Sequence, residues 1–180
     1  PYQAGSRGFH WIKLKATSSA LEKLRGGGGE SKLPDTIDCV LMGAYKGRGR
    51  RAKFGVGGFL LGVRGTGDKY YTISRLGTGL SDDQFRDARK RVINIASAQQ
   101  PKQYEVDKEI FPDIWVRPQL VAEILADEIT LSPRHTAGRR EKGGRGYSLR
   151  FPRLVRFRDD KKAEDATAIK EIEEMYKKQK

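Results

Sequence analysis

Three short apolar runs follow one another closely and constrain the fold of this chain more than anything else in it. "TIDCVLMGAY" (36–45), "GGFLLGVR" (57–64) and "KYYTISRLG" (69–77) each read as a strand. "GTGD" joins the second to the third as a hairpin loop. A helix follows in "SDDQFRDARKRVINIAS", with Ser81 and Gln84 as a capping box and Phe85, Ala88, Val92 and Ile95 as its apolar stripe. "DIWVRP" and "LVAEILADEITLSP" are extended again. In the latter, Val121, Ile124 and Ile129 fit no single period, which predicts a bend near Ala126. "RHTAGRREKGGRG" reads as a mobile, basic, Gly-rich loop and "RFPRLVRFRDDK" (150–161) as the last strand. "DATAIKEIEEMYKKQK" closes the chain as an amphipathic helix through Ile169, Ile172 and Tyr176, with acids early and lysines late, as the helix dipole favours.

About five short strands, one internal helix and no alternation of strand and helix predict a small closed barrel. A helix after the third strand is the arrangement of an OB-fold. The expectation is therefore a mainly β chain: an OB-fold five-stranded barrel with an internal helix and a C-terminal helix over residues 34–180. Ahead of it, "GFHWIKLK" is a short alternating strand and the glycines at 26–29 are a flexible linker or a plain surface loop. Residues 1–33 read as the tail of a preceding unit.

Charge narrows the partners. The 180 residues carry a formal net charge of +13, and an excess of that size points to a polyanion, nucleic acid or nucleotide phosphate. No apolar run approaches membrane-spanning length. The single cysteine, Cys39, reads as a small buried hydrophobe, which suits a reducing compartment. His10 and His135 lie far apart with no Cys/His cluster, so no metal ligands are assigned. Nucleophile-elbow, phosphate-loop and zinc-protease motifs are absent. "GRGRRAKFGVGG" follows a strand without opening a helix. It reads as a basic loop facing a phosphate backbone, or as a surface turn.

Two basic stretches remain. In "WIKLK", Lys13 and Lys15 stand two apart on a strand and project to one side, where both ammonium groups can reach one phosphate. In "RFPRLVRFRDDK", Arg150, Arg153, Arg156 and Arg158 alternate with Phe151, Leu154, Val155 and Phe157. Pro152 is expected to hold Phe151 extended. Phe151 is either core or an apolar wedge for a nucleic-acid groove; periodicity leaves both open.

"WIKLK" resembles the last motif of the nucleotidyltransferase domain of ATP-dependent DNA ligases, and "LRFPRLVRFRDDK" resembles their carboxy-terminal motif. "IDCVLMGAYKGRGRRAKFGVGGFLLGV", "RLGTGLSDDQF", "ADEITLSPRHTAG" and the tail "EDATAIKEIEEMYKKQK" are similar to the same family, in order along nearly the whole chain. The resemblance implies an OB domain that serves two steps. Lys13 and Lys15 would contact the α-phosphate of ATP or of the adenylate. Arg158, Asp160 and Lys161 would orient the pyrophosphate of ATP, supplied with magnesium. Arg150, Phe151 and Arg153 would face nicked duplex DNA, with Arg48, Arg50 and Arg51 of the basic loop near its phosphates. The partners implied are nicked duplex DNA and an upstream nucleotidyltransferase domain of the same chain. The expected enzyme is a monomer, cytoplasmic in a prokaryote or nuclear in a eukaryote.

No Lys-x-Asp-Gly tetrapeptide, the family's site of covalent adenylation, is present. The chain is therefore expected to be the carboxy-terminal part of a longer enzyme and not to adenylate itself. Two other readings stay open: a stand-alone OB module that binds single strands by stacking, and part of an mRNA capping enzyme or RNA ligase. Capping enzymes share the WxKxK and RxDK patterns but not "RFPR" or "DEITLSP".

Overall fold

The computed structural model describes residues 32–180; Lys13, Lys15 and the glycines at 26–29 lie outside the described residues. The chain forms β1 (Ile37–Tyr45), a 3-10 turn (Gly49–Phe54), β2 (Gly58–Arg64), β3 (Tyr70–Leu76), α1 (Asp82–Asn94), β4 (Ala96–Ser97) and β5 (Tyr104–Glu105). It continues through β6 (Ile114–Val116), β7 (Val121–Leu125), β8 (Glu128–Ser132), β9 (Gly146–Arg150), β10 (Arg153–Phe157) and α2 (Ile169–Lys178). The main sheet runs β10-β7-β1-β2-β3-β5, and β8 pairs β9 separately. β7 and β8 are one long strand broken at residues 126–127. β9 and β10 are its partner, broken at 151–152: Leu125 pairs Arg153 on one side of the break and Glu128 pairs Arg150 on the other. This is the expected mainly β, five-stranded OB architecture, with the bend at Ala126 in place.

β1 reads as nearly continuous apolar sequence because both its faces are covered. Ile37, Cys39 and Leu41 point into the barrel with Phe59, Leu61, Ile73, Ile124 and Leu154. Val40 and Met42 point outward under a second layer built from Tyr70, Tyr104, Ile110, Ala163 and Ala166. The register slips between Leu41 and Gly43. Only glycine fits there, since a Cβ at Gly43 would stand 2.3 Å from Pro112 Cγ. Cys39 is fully buried, and burial raises its thiol pKa far above the ordinary range.

α1 closes one end of the barrel. Its capping box is formed as expected: Gln84 N–H donates to Ser81 Oγ (3.2 Å), and Ser81 N–H donates to Gln84 Oε1 (2.9 Å). Phe85, Ala88 and Val92 enter the core, where Phe85 stacks on Phe54 at 5.5 Å. α2 packs Ile172 into the same core, and Gln179 caps β8 by accepting from Ile129 N–H at 2.9 Å.

The loop after β8 departs from its expected mobility. His135, Thr136 and Ala137 are buried, and they join β3 to β9. Thr72 N–H donates to Thr136 Oγ1 (2.9 Å), Ala137 N–H to Thr72 O (3.0 Å) and Tyr147 N–H to Ala137 O (2.7 Å). Arg139 clamps the turn with two hydrogen bonds to the Asp107 carboxylate, at 3.0 and 2.7 Å. The barrel's open seam needs backbone partners, and this segment supplies them. The glycine-rich composition made it look loose.

Candidate functional site

The last strand holds the candidate site, and its first feature is a corner. Phe151 has φ +52°, in the left-handed region, so the extended conformation expected from Pro152 is not what the chain adopts. Three bonds across the break enforce the turn. Asp127 N–H donates to Arg150 O (3.0 Å), Arg153 Nη1 donates to Phe151 O (3.1 Å), and Arg153 Nη2 donates to Asp127 Oδ1 (2.6 Å). Such a backbone costs a bulky residue about 1–3 kcal/mol. Here it turns the ring outward. Phe151 is 59% exposed, the Arg150 guanidinium lies 5.2 Å from its ring centre, and the core reading of Phe151 is thereby excluded. Arg150 is exposed and paired with Glu128 at 3.0 Å. Arg153, expected beside it, is instead largely buried as the clamp of the corner.

The other end of the strand gathers charge. Leu154 is buried and Phe157 packs against the core, which leaves Arg156 and Arg158 on the outer face. There they meet two acids that reading the motifs alone missed. Glu123 of β7 is 5% exposed; it accepts from Thr36 Oγ1 (2.8 Å) and Arg156 Nε (2.7 Å), with Arg158 Nη1 at 3.8 Å. Asp38 of β1 accepts from Lys161 Nζ at 2.6 Å, with Arg158 Nη1 3.6 Å from its other oxygen. That oxygen, Oδ1, makes no hydrogen bond among the described residues. The signal was present in the sequence: each is a lone carboxylate in an otherwise apolar strand, "IDCVLMGAY" and "LVAEIL", and acids are seldom buried there without a cation.

Arg158 and Asp160 form a two-pronged pair at 2.9 and 2.9 Å. That hydrogen bond holds the Asp160 carboxyl well below the usual carboxylate range and raises Arg158 in turn. So Arg158, Asp160 and Lys161, predicted together, stand together. Asp159, between them, points elsewhere. It receives Arg91 of α1 at 2.6 Å, and Arg91 lies over Phe157 at 4.9 Å; the same bond lowers the Asp159 pKa. The strand end is thereby fastened to the helix that plugs the barrel. Physically, the arrangement is a cation pair, Arg158 and Lys161, held by the buried Glu123, the half-buried Asp38 and the exposed Asp160.

The basic loop is split in its behaviour. Arg48 and Arg50 are exposed. Arg51 folds back, donating to Gly57 O at 3.2 Å and lying 5.4 Å from the Phe85 ring centre. Among the described residues no group of three or more His, Cys, Asp or Glu stands where it could hold a metal ion.

With this geometry in hand, comparison with known proteins is direct. Residues 38–161 match the family described as "ATP dependent DNA ligase C terminal region", a span bounded by the Asp38–Lys161 pair itself. A probable DNA ligase of Dictyoglomus thermophilum is 46% identical over 182 residues, covering 100% of this chain and 29% of its own length. A DNA ligase of Sulfurisphaera tokodaii is 42% identical, covering 98% of this chain and 27% of its own. Among solved structures, the ligase domain of M. tuberculosis LigD superposes with a TM-score of 0.57 and 25% identity, over 74% of this chain and 38% of that one. The chain thus spans under a third of the length of these curated relatives. Motif order, barrel topology and the match across most of the chain converge on one conclusion: this chain belongs to the family of ATP-dependent DNA ligase C-terminal regions.

Proposed function

We propose that the chain is the OB-fold part of a ligase that seals nicks in duplex DNA, and that the two ends of β10 serve different steps. In the first step the rear end faces ATP. Arg158 and Lys161, held by Asp38, Glu123 and Asp160, orient and neutralise the leaving pyrophosphate while Lys13 and Lys15 contact the α-phosphate. Preorganised cations lower the barrier to phosphoryl transfer because charge develops on the departing oxygens. Magnesium accompanies the nucleotide in this reading, and the lysine nucleophile comes from the rest of the ligase chain. In a later step the front end faces DNA. Phe151, held outward, enters the minor groove beside the nick, and Arg150 with Arg48 and Arg50 meets phosphates.

The observation that carries this reading is that one strand presents an exposed, conformationally held aromatic at one end and a carboxylate-backed cation pair at the other. The test uses a longer ligase that contains this chain. Arg158→Ala and Lys161→Ala are expected to block formation of the enzyme–AMP adduct while sparing sealing of a pre-adenylated nick. Phe151→Ala is expected to do the reverse. Equal damage to both steps by all three variants overturns the division of labour. A preference for single strands over nicked duplex at equal salt would favour the stand-alone module instead.

A further inference from the structure

Nearly every cation of the last strand already has a carboxylate; those around one open cleft do not. The cleft, about 610 Å³, lies between the ends of β1 and β3 and the 3-10 turn, and is lined by Tyr45, Lys46, Arg48, Arg51 and Arg75. Among the described residues the side chains of Lys46, Arg48 and Arg75 make no ion pair. The acid in the lining, Asp113, accepts from the Lys46 backbone N–H at 2.7 Å. Arg75 is held without a carboxylate: its guanidinium lies 4.1 Å from the centre of the Tyr45 ring. Tyr45 is itself fixed, its hydroxyl donating to Ile110 O at 2.5 Å. A guanidinium held over a ring face with no carboxylate on it keeps N–H groups for an anion.

The floor of the cleft carries no side chain at Gly77. A Cβ there would meet only Gly57 O at 3.6 Å and Arg51 Nη1 at 3.8 Å. A sugar–phosphate backbone can therefore approach closely. Two residues on, a Cβ at Gly79 would stand 3.6 Å from Arg153 Cγ. The cleft thus leads along residues 77–79 to the corner that displays Phe151.

We infer that this cleft is a phosphate seat for the DNA backbone, in which Arg75, over the Tyr45 ring, and Lys46 receive a phosphodiester of the duplex whose groove takes Phe151. This rests on the DNA-binding reading above and adds a site to it. Arg75 opens "RLGTGLSDDQF" and Tyr45 lies in "IDCVLMGAYKGRGRRAKFGVGGFLLGV", but the resemblance gives neither residue a role.

The test is titration of this chain against a fluorescently labelled nicked duplex over a series of salt concentrations. Arg75→Gln is expected to weaken binding about tenfold and to reduce the slope of log K against log salt by about 1. Arg75→Lys keeps the charge but not the planar guanidinium over the ring, and is expected to lose about threefold. Tyr45→Leu is expected to behave like Arg75→Lys, and Tyr45→Phe like the unaltered chain. Arg89→Gln is the charge-matched control, because Arg89 lines a different cavity on α1; it is expected to change binding less than twofold. Thermal melting of each variant separates loss of fold from loss of contact. Equal effects of Arg75→Gln and Arg89→Gln reduce the result to net charge and overturn the seat alone. No effect of Arg75→Gln in a chain that binds does the same. Failure of the unaltered chain to bind overturns the DNA-binding reading and the seat with it.

Discussion

Replacing Phe151 by glycine and by alanine separates the conformation of the corner from its use. The side chain is 59% exposed, so either truncation gives up about 1 kcal/mol of burial, well under half of what a fully buried phenylalanine contributes. The two variants differ in backbone. At φ +52° alanine keeps the left-handed penalty of about 1–2 kcal/mol, whereas glycine escapes it. Glycine loses roughly 0.5–1 kcal/mol of that advantage to the greater freedom of its unfolded chain. Phe151→Gly should therefore be about 0.5–1 kcal/mol more stable than Phe151→Ala, a difference of about 1–4 °C in melting temperature for a chain of this size. Calorimetry on the two variants reads it directly. Binding to a nicked duplex should fall in both by the same factor, about tenfold or more, since both lose the ring. An alanine variant that melts at or above the glycine variant would refute the left-handed corner. A variant that binds the nick as tightly as the unaltered chain would refute the wedge.

Glu123 and His135 offer two independent checks. Glu123→Gln keeps the bond from Thr36 but removes the buried charge facing Arg156 and Arg158; it should cost about 2 kcal/mol, less than a fully buried broken pair because Arg156 is half exposed. The readout is a lower urea midpoint with an unchanged slope, and a loss below about 0.5 kcal/mol would show that the Glu123 carboxylate is not structural. His135 is held neutral by burial, and next by Arg75, Arg134 and Arg139, which bring its pKa from 6.5 down to about 4. The unfolded chain takes up a proton below pH 6.5 that the folded chain refuses, so stability is full above 6.5 and falls as pH drops towards 4, by up to about 3 kcal/mol. His135→Gln should flatten that part of the pH–stability curve; an unchanged slope would mean that His135 titrates normally.

How far the sequence reaches is plain from particular elements. The short apolar runs, the capping box at Ser81 and the stripe through Phe85, Ala88 and Val92 specify strands and helix by local chemistry alone, and the structure has all of them. Motif spelling also grouped Arg158, Asp160 and Lys161, which lie close together because they are neighbours in the chain. What it did not convey depends on contacts across long separations. Asp38 meets Lys161 from 123 residues away, and Arg75 of β3 meets Tyr45 of β1 over the intervening β2. The loop at 134–146 was read as loose from its glycines, but a barrel seam needing backbone partners ordered its first residues. Phe151 was expected to be extended on the strength of Pro152, yet the clamp from Asp127 and Arg153 overrode that local preference. Periodicity and motif spelling are local and survive in one dimension. Charge pairing, seam closure and the turning out of one ring are settled only when distant strands meet, since only then do their burial costs and their partners exist.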